Sequence, residues 1–440
     1  MAKEKIKLII QSPKGTRDIL SQDYAYFKQT IEKAEEVASF YGFQPIQTPH
    51  FEKTDLFYSS LGEETDTVEK QMYSFKTRSG DNLSLRPEGT APVMRAYIEH
   101  GMHTLPQPVM LFYKGSFFRH ENPQKGRFRE FQQFGLEIMG ESGAIAEAML
   151  IKIIALTFEE LGIKSIVHIN SIGDKECRTA YKKELINYYR KKINQACPDC
   201  KKRFKANPLR LLDCKDPRCA EIKKDAPQTI NFLCSDCRSH FQEVLESLDS
   251  NNISYFLNNH LVRGFDYYSR TVFEFFVDNN SKETEECNEQ QSTDAIAAGG
   301  RYDYLTKRFG KKEVPSVGGA IGIDRAVQYL IDNKIELKHK KGAQVFLVQL
   351  GPSAKYRSLN IIEMFRKARI PLNQSISKDS LRGQLKLAAK LDMKFSLILG
   401  QREVLENSII IKDMESESQE TIPIEKVVEI TRKKLENKKQ

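Results

Sequence analysis

The sequence predicts an α+β fold: an antiparallel sheet flanked by helices, broken by a helical insertion and followed by a C-terminal α/β domain. Three observations carry this. Strand patterns with a Pro- and Gly-bearing connection, "PVMLFYKGSFFRH" and "RFREFQQFGLEIMG" joined by "ENPQKG", read as a hairpin. Strands of the same kind resume only after a Lys-rich, mostly helical stretch from Asp174 to Leu248. Beyond a basic linker, "KIELKHKKG", short strands alternate regularly with helices. A chain of 440 residues also exceeds what one core usually serves, so several domains are expected.

Each element has its own signal. From Asp23 to Phe43 apolar residues recur at three and four, as on an amphipathic helix, and Gly42 stands where a left-handed cap would end it. "QPIQTPHFE" reads as extended; a short strand through Leu83 and Leu85 breaks at Pro87 and Gly89, and a helix starts near Thr90. After the hairpin come the helix "AIAEAMLIKIIALTFEELGI" and the strand "SIVHINSIG". Past the insertion, "HLVRGFDYYSRTVFEFFVD" reads as strands forming a hairpin around Gly264, "NNSKETEECNEQQST" as an exposed loop, and "DAIAAGGRYDYL" as the sheet resuming, with Gly299 and Gly300 fitting a bulge. "SVGGAIGIDRAVQYLIDN" reads as a Gly-rich turn running into a helix. The last part, from "AQVFLVQL" to a final helix near Ile424, predicts a small domain with a largely parallel sheet. The expected boundaries are 1–173 with 249–335, an insertion at 174–248, and a C-terminal domain at 343–440.

No window is apolar for the roughly 18 residues a membrane span needs, and the start of the chain lacks a cleavage signal, so an unexported, cytoplasmic protein is expected. There are 68 Lys and Arg against 59 Asp and Glu, a net charge of +9. Most of the excess follows Gly342, where 18 basic residues face 12 acidic ones, making that part the better candidate for a polyanion surface. No phosphate loop of the G-x-x-x-x-G-K-[ST] type occurs, nor a G-x-G-x-x-G opening a helix after a strand. A bound nucleotide would have to be held by arginines on an antiparallel sheet.

In the second hairpin strand, period-two alternation sends Phe134, Leu136 and Ile138 to one face and Arg129, Gln133, Gly135 and Glu137 to the other. An ordinary sheet with one wet face would look the same. Arg119 and Glu121, however, end the preceding strand, and a mid-strand Gly135 lets another group approach the backbone. Arg263 and Asp266 flank Gly264 ahead of Tyr267 and Tyr268, and Arg325 follows Gly318, Gly319 and Gly322.

Taken together, these segments resemble a known family. "FRHENPQKGRFREFQQFGLEIMG" is similar to motif 2 of the class II aminoacyl-tRNA synthetases, "VGGAIGIDRAVQYL" to motif 3 and "YGFQPIQTPHFE", with Pro49, to motif 1. "LVRGFDYYSRT" and "AAGGRYDYL" resemble two blocks peculiar to the histidyl-tRNA synthetases, and "PKGTRDIL" and "LRPEGTAPVMRAY" match them as well. The resemblance runs in order from about Pro13 to the C-terminus.

The resemblance implies a ligase that couples L-histidine to the 3′ end of its tRNA through a histidyl-adenylate, with ATP as substrate and Mg²⁺ on its phosphates. Arg119 would bind the α-phosphate, Arg263 would bridge it to the histidine carboxylate, and Arg325 would hold the distal phosphates. Glu121 and Arg127 would seat the adenine end. Glu88 and Tyr268 are implied for the imidazole; Gly89, Thr90, Gln133 and Glu137 for the amino acid's polar end; Tyr267 and Tyr302 for the wall. Gln124 matches the reader of the extra 5′ guanosine on this tRNA. Asn122 stands where family members often carry arginine, and Asp324 where glutamate is frequent. The resemblance further implies an anticodon-binding C-terminal domain, a homodimer with motif 1 at its interface, and neither DNA nor membrane as partner. The rival within the fold is a non-catalytic regulatory subunit of histidine biosynthesis that binds histidine; such relatives typically lose the "LVRGFDYY" arginine or the last domain, and this chain has both.

Six of the eight cysteines lie between Cys197 and Cys237. The units Cys197-x-x-Cys200 and Cys234-x-x-Cys237 have the spacing of a tetrahedral zinc site, which would staple the insertion. Reduced cysteines without metal are the competing reading, and disulfides a third.

Overall fold

The computed structural model describes residues 10–62, 65, 67–124, 126–214, 216–278, 295–336 and 342–438. The polar tract at 279–293, Cys287 and most of the basic linker lie outside them. The chain divides into two compact units, Met1–Leu337 and Lys338–Gln440. Among the described residues no helix is long and apolar enough to cross a membrane.

The first unit is organised by an eight-stranded sheet. In spatial order its strands are Gln44–Pro45, Val109–Phe118, Glu130–Met139, Ser316–Gly322, Ala297–Arg301, Ser269–Val277, Ser165–Ser171 and Tyr255–Leu257. The six central strands pair antiparallel, and only the short edge strands run parallel to their neighbours. The alternation in Glu130–Met139 divides the sheet as its sequence requires: Phe134, Leu136 and Ile138 join the core under helices Ser21–Phe40, Ile145–Glu160 and Ile323–Asp332. Each large apolar side chain buried there contributes roughly 1.5–3 kcal/mol. Gly135 and Glu137 point to the opposite face, where the site lies. Gly42 has φ +88° and ends the first helix, the conformation a glycine cap supplies.

Two expectations fail here for physical reasons. Ser316–Gly322 is a central strand and not a turn. Its glycines are required by neighbours: a Cβ on Gly318 would lie 1.6 Å from Glu137 Oε2, and one on Gly319 would lie 3.0 Å from Leu150. The segment 258–268 makes no hairpin with the strand Ser269–Val277; it is a loop that enters that strand at Ser269. Gly300 and Arg301 do mark a bulge against the same strand.

Helices Lys175–Lys192, Pro198–Ala206, Pro217–Lys224 and Ser235–Ser250 make up the segment between the strands Ser165–Ser171 and Tyr255–Leu257. The second unit has a five-stranded sheet in the order Leu372–Gln374, Val345–Gln349, Phe395–Leu399, Ser408–Asp413, Gln419–Pro423. It is mixed, not largely parallel, because only the five-residue helix Gln401–Leu405 separates its third and fourth strands, too short for a crossover, and a hairpin adds the last strand.

Candidate active site

On the polar face of the large sheet lies a cavity of about 1520 Å³. A single drug-sized ligand needs roughly 300–1,000 Å³, so there is room for two reactants. Its two ends differ in chemistry.

One end is built from carboxylates and phenols. Glu137 is fully buried and accepts hydrogen bonds from Thr90 Oγ1 (2.8 Å), Tyr113 Oη (3.2 Å) and Tyr302 Oη. None of these partners is a cation. Burial, with a smaller push from Glu88, raises its pKa to about 8, although the hydroxyl donors pull the other way. Glu88 precedes the helix Thr90–Glu99 and accepts from Thr90 N (2.7 Å) and Ala91 N (2.9 Å), so one carboxylate satisfies two orphan donors at the helix start. Burial raises its pKa too. Two oxygens offer about four acceptor sites, which leaves capacity towards the cavity. Tyr267 and Tyr268 pack ring to ring at 4.6 Å, and Tyr267 meets Tyr302 edge-on at 5.8 Å.

Tyr113, which sequence reasoning missed, shapes this end. It sits opposite Gly135 in the hairpin register. A Cβ on Gly135 would lie 2.1 Å from its ring, and one on Gly89 would lie 2.2 Å away. The mid-strand glycine was the available signal; the approaching group is the phenol directly across the ladder.

The other end is cationic. Arg119 leaves the strand Val109–Phe118, donates from Nε to Pro87 O (2.8 Å) and lies 3.8 Å from Glu121 and 5.3 Å from the Phe131 ring centroid. Burial lowers its pKa, against the pull of Glu121 and Glu88. Arg263, on the loop before Ser269, pairs with Glu274 and lies over Tyr268. Burial alone would lower its pKa, but Glu274 and the tyrosines outweigh that and raise it. Arg127 lies 4.0 Å from Glu121. Arg325 opens the helix Ile323–Asp332 and donates to Ala295 O and Gly126 O. Gln133 lines the cavity between the two ends, whereas Gln124 is exposed at the hairpin tip, bridged to Arg127.

Three charged residues near the family motifs do other work. Asp324 accepts from Arg17 Nη2 (2.9 Å) and Gln132 N (2.5 Å), tying "PKGTRDIL" to the hairpin, while Arg17 stacks on Phe128 at 4.0 Å. Asp266 accepts from Asn207 of the helical segment (2.9 Å). Arg301 is fully buried, paired with Glu147, which also bonds His240.

The cysteines correct the expected ligand set. Cys197 and Cys200 do not share a site with Cys234 and Cys237. They meet Cys214 and Cys219, while Cys234 and Cys237 meet Asp174 and Cys177, each set having its ligand atoms within 4.8 Å of one another. The seven described cysteines are free thiols, and both sets could hold a metal ion such as zinc. Spacing suggested pairing the two C-x-x-C units with each other, but each opens a different helix, and the chain brings each unit a nearer partner.

The cavity thus sets four arginines, Arg119, Arg127, Arg263 and Arg325, next to a pocket of carboxylates and phenols on the face of a mostly antiparallel sheet. The profile described as "Histidyl-tRNA synthetase" matches residues 15–171 and 221–326, and that described as "Anticodon binding domain" matches 344–434. The chain is 39% identical over 419 residues to the histidine–tRNA ligase of Natranaerobius thermophilus, covering 95% of this chain and 97% of that one. To the histidine–tRNA ligase of Thermodesulfovibrio yellowstonii it is 40% identical over 424 residues, covering 96% and 98%. The crystal structure of apo S. aureus histidyl-tRNA synthetase superposes with a TM-score of 0.77 at 30% identity, covering 96% of this chain and 99% of that one. An ATP phosphoribosyltransferase regulatory subunit/histidyl-tRNA synthetase from Bacillus halodurans shares the fold at a TM-score of 0.61 and 20% identity, covering 90% and 99%. The chain belongs to the histidyl-tRNA synthetase family.

Proposed function

We propose that this chain activates L-histidine with ATP and transfers it to the 3′ end of its tRNA, releasing pyrophosphate and then AMP. The observation that carries this reading is the two-ended cavity: a buried carboxylate, Glu137, whose hydrogen-bond partners include no cation, lies next to clustered guanidinium groups.

In activation, a histidine carboxylate oxygen attacks the α-phosphorus of ATP as the bond to pyrophosphate breaks. Two anions must meet, and fixed cations remove their repulsion without reorganising. Arg119 receives the α-phosphate and Arg263 bridges it to the carboxylate; guanidinium suits both because it keeps its charge when buried and presents a planar fork of donors. Glu121 and Arg127 seat the adenine end, and Arg325 takes the distal phosphates. Glu137, with Thr90 and Gln133, receives the α-ammonium, and Glu88 and Tyr268 hydrogen-bond the imidazole. Gly89 belongs to this wall through its missing side chain, and Tyr267 and Tyr302 close it. A pocket that bonds polar ring atoms rejects an analogue lacking them far better than an apolar slot. Mg²⁺ would ride on the ATP phosphates, whose oxygens are donors of the type it accepts, and would neutralise the leaving pyrophosphate.

In transfer, the 3′-terminal ribose hydroxyl attacks the adenylate carbonyl and AMP leaves. Gln124, exposed at the hairpin tip, contacts the 5′ end of the acceptor stem, and the C-terminal unit receives the anticodon. Support for a homodimer comes from exposed apolar side chains in and near the motif 1 segment: Phe51 and Phe75, whose rings meet at 6.5 Å, are 51% and 45% exposed.

Histidine-dependent exchange of labelled pyrophosphate into ATP tests the reading. Wild-type protein should exchange with histidine only, and Arg263→Ala should lose about 10²–10³-fold, the cost of one transition-state donor. No exchange with histidine would leave only the regulatory role known for the fold.

A further inference from the structure

The structure assigns two separate zinc sites to the helical segment 174–248, a four-thiolate site of Cys197, Cys200, Cys214 and Cys219 and a three-thiolate, one-carboxylate site of Asp174, Cys177, Cys234 and Cys237. This inference is independent of the catalytic reading.

The spacing fits one ion per set. Zinc–sulfur bonds of about 2.3 Å in a tetrahedron place neighbouring sulfurs roughly 3.8 Å apart, and a sulfur roughly 3.5 Å from a carboxylate oxygen bound at about 2.0 Å. Cys197 Sγ and Cys214 Sγ are 3.8 Å apart, and Cys234 Sγ is 3.6 Å from Asp174 Oδ2. A disulfide would need roughly 2.05 Å. With all ligand atoms in each set inside 4.8 Å, a single ion fits and a multinuclear cluster does not.

Backbone donors are arranged for thiolates. Cys200 N donates to Cys197 Sγ (3.4 Å), Cys237 N to Cys234 Sγ (3.4 Å), Asp216 N to Cys214 Sγ (3.4 Å), and Cys234 N to Cys177 Sγ (3.1 Å). Cys197 and Cys234 are themselves the N-cap residues of their helices, and Asp174 caps a third, so helix N-termini face the anionic ligands. Asp174 divides its two oxygens: Oδ1 accepts from Cys177 N at 2.8 Å, which leaves Oδ2 facing the thiols. Packing alone would explain buried cysteines, but not a carboxylate oxygen turned towards three of them.

The two sites do different work. The four-thiolate site joins Pro198–Ala206 to Pro217–Lys224. The mixed site ties the start of the segment to the first turn of its last helix, Ser235–Ser250, and that start is bonded to the sheet: Arg270 N donates to Gly173 O (2.8 Å), and Arg178 donates to Tyr268 O (2.9 Å), in the wall of the cavity. An ion there therefore fixes the last helix of the segment to the start that holds Tyr268 O.

Full-length protein, purified reduced and without chelator, should carry two zinc ions per chain by elemental analysis. Cys200→Ser and Cys237→Ser should each retain one, and the double variant none. Cobalt substitution should give two different thiolate charge-transfer spectra, the one lost in Cys200→Ser being the more sulfur-rich. Wild-type protein that holds no more than one zinc and takes up no more than one cobalt overturns the proposal. So does loss of all metal in either single variant, the outcome a shared site would produce. Because wild-type uptake is read first, a variant that fails to fold does not remove the test.

Discussion

Glu137 and Glu147 are both fully buried beside the same sheet, yet their surroundings are opposite. Glu147 meets Arg301 and His240. Burial would raise its pKa, but those partners outweigh it and the net shift is downward. Glu137 has three hydroxyl donors and no cation, and its pKa rises to about 8. A buried carboxylate that is already neutralised holds the protein together; one that is hydrogen-bonded but uncompensated fits the proposed role of receiving an ammonium group from outside. The difference separates structure from function among residues of one type.

The contrast is tested hardest at Glu147. Glu147→Gln should cost about 3 kcal/mol or more of unfolding free energy in urea, since it strips the buried Arg301 of its principal partner. Glu137→Gln should leave stability equal or higher at neutral pH while raising the histidine KM about 10–100-fold, the worth of a charge-assisted bond of roughly 1.5–3 kcal/mol. Similar stability losses in both variants would abolish the distinction.

The two carboxylates should also part with pH. Glu137 has a folded pKa above its unfolded value, so its contribution to stability is fully present below about 4.5 and is lost as pH rises through about 8. Glu147, with a lowered pKa, contributes stability above its ordinary value that is lost as pH falls through the folded pKa. Thermal melts of the two Gln variants against wild type should therefore diverge in opposite directions with pH. Binding an ammonium group should also expel the Glu137 proton, so calorimetry near pH 7 should register up to one proton released per histidine in wild type and less in Glu137→Gln. The smallest effect should be Asp324→Glu, within about 1 kcal/mol of unfolding free energy, provided the longer carboxylate still reaches Arg17 and Gln132 N.

Much of this arrangement was legible in the sequence. Period-two alternation placed Glu137 and Gln133 on the face opposite Phe134 and Leu136, and turn residues delimited the hairpin that carries Arg119. What escaped was set by contacts across the fold. Gly318 and Gly319 looked like a turn because glycine weakens a strand locally, and only the approach of Glu137 and Leu150 shows why a strand has them. Tyr113 carries no motif signal of its own, since its role depends on the residue opposite. The cysteines gave their spacing but not their partners, because Cys177 and Asp174 lie outside the cluster that spacing picks out.

The ring of Tyr113, lying where Gly89 and Gly135 have no side chain, has an evolutionary consequence. Any methyl group added at either glycine demands a smaller residue in place of the phenol, and that replacement strips a hydroxyl from Glu137. Single substitutions therefore pass through a damaged intermediate whichever comes first. The residues at these three positions are locked to one another by geometry, and exchanging any of them needs coordinated changes at the others.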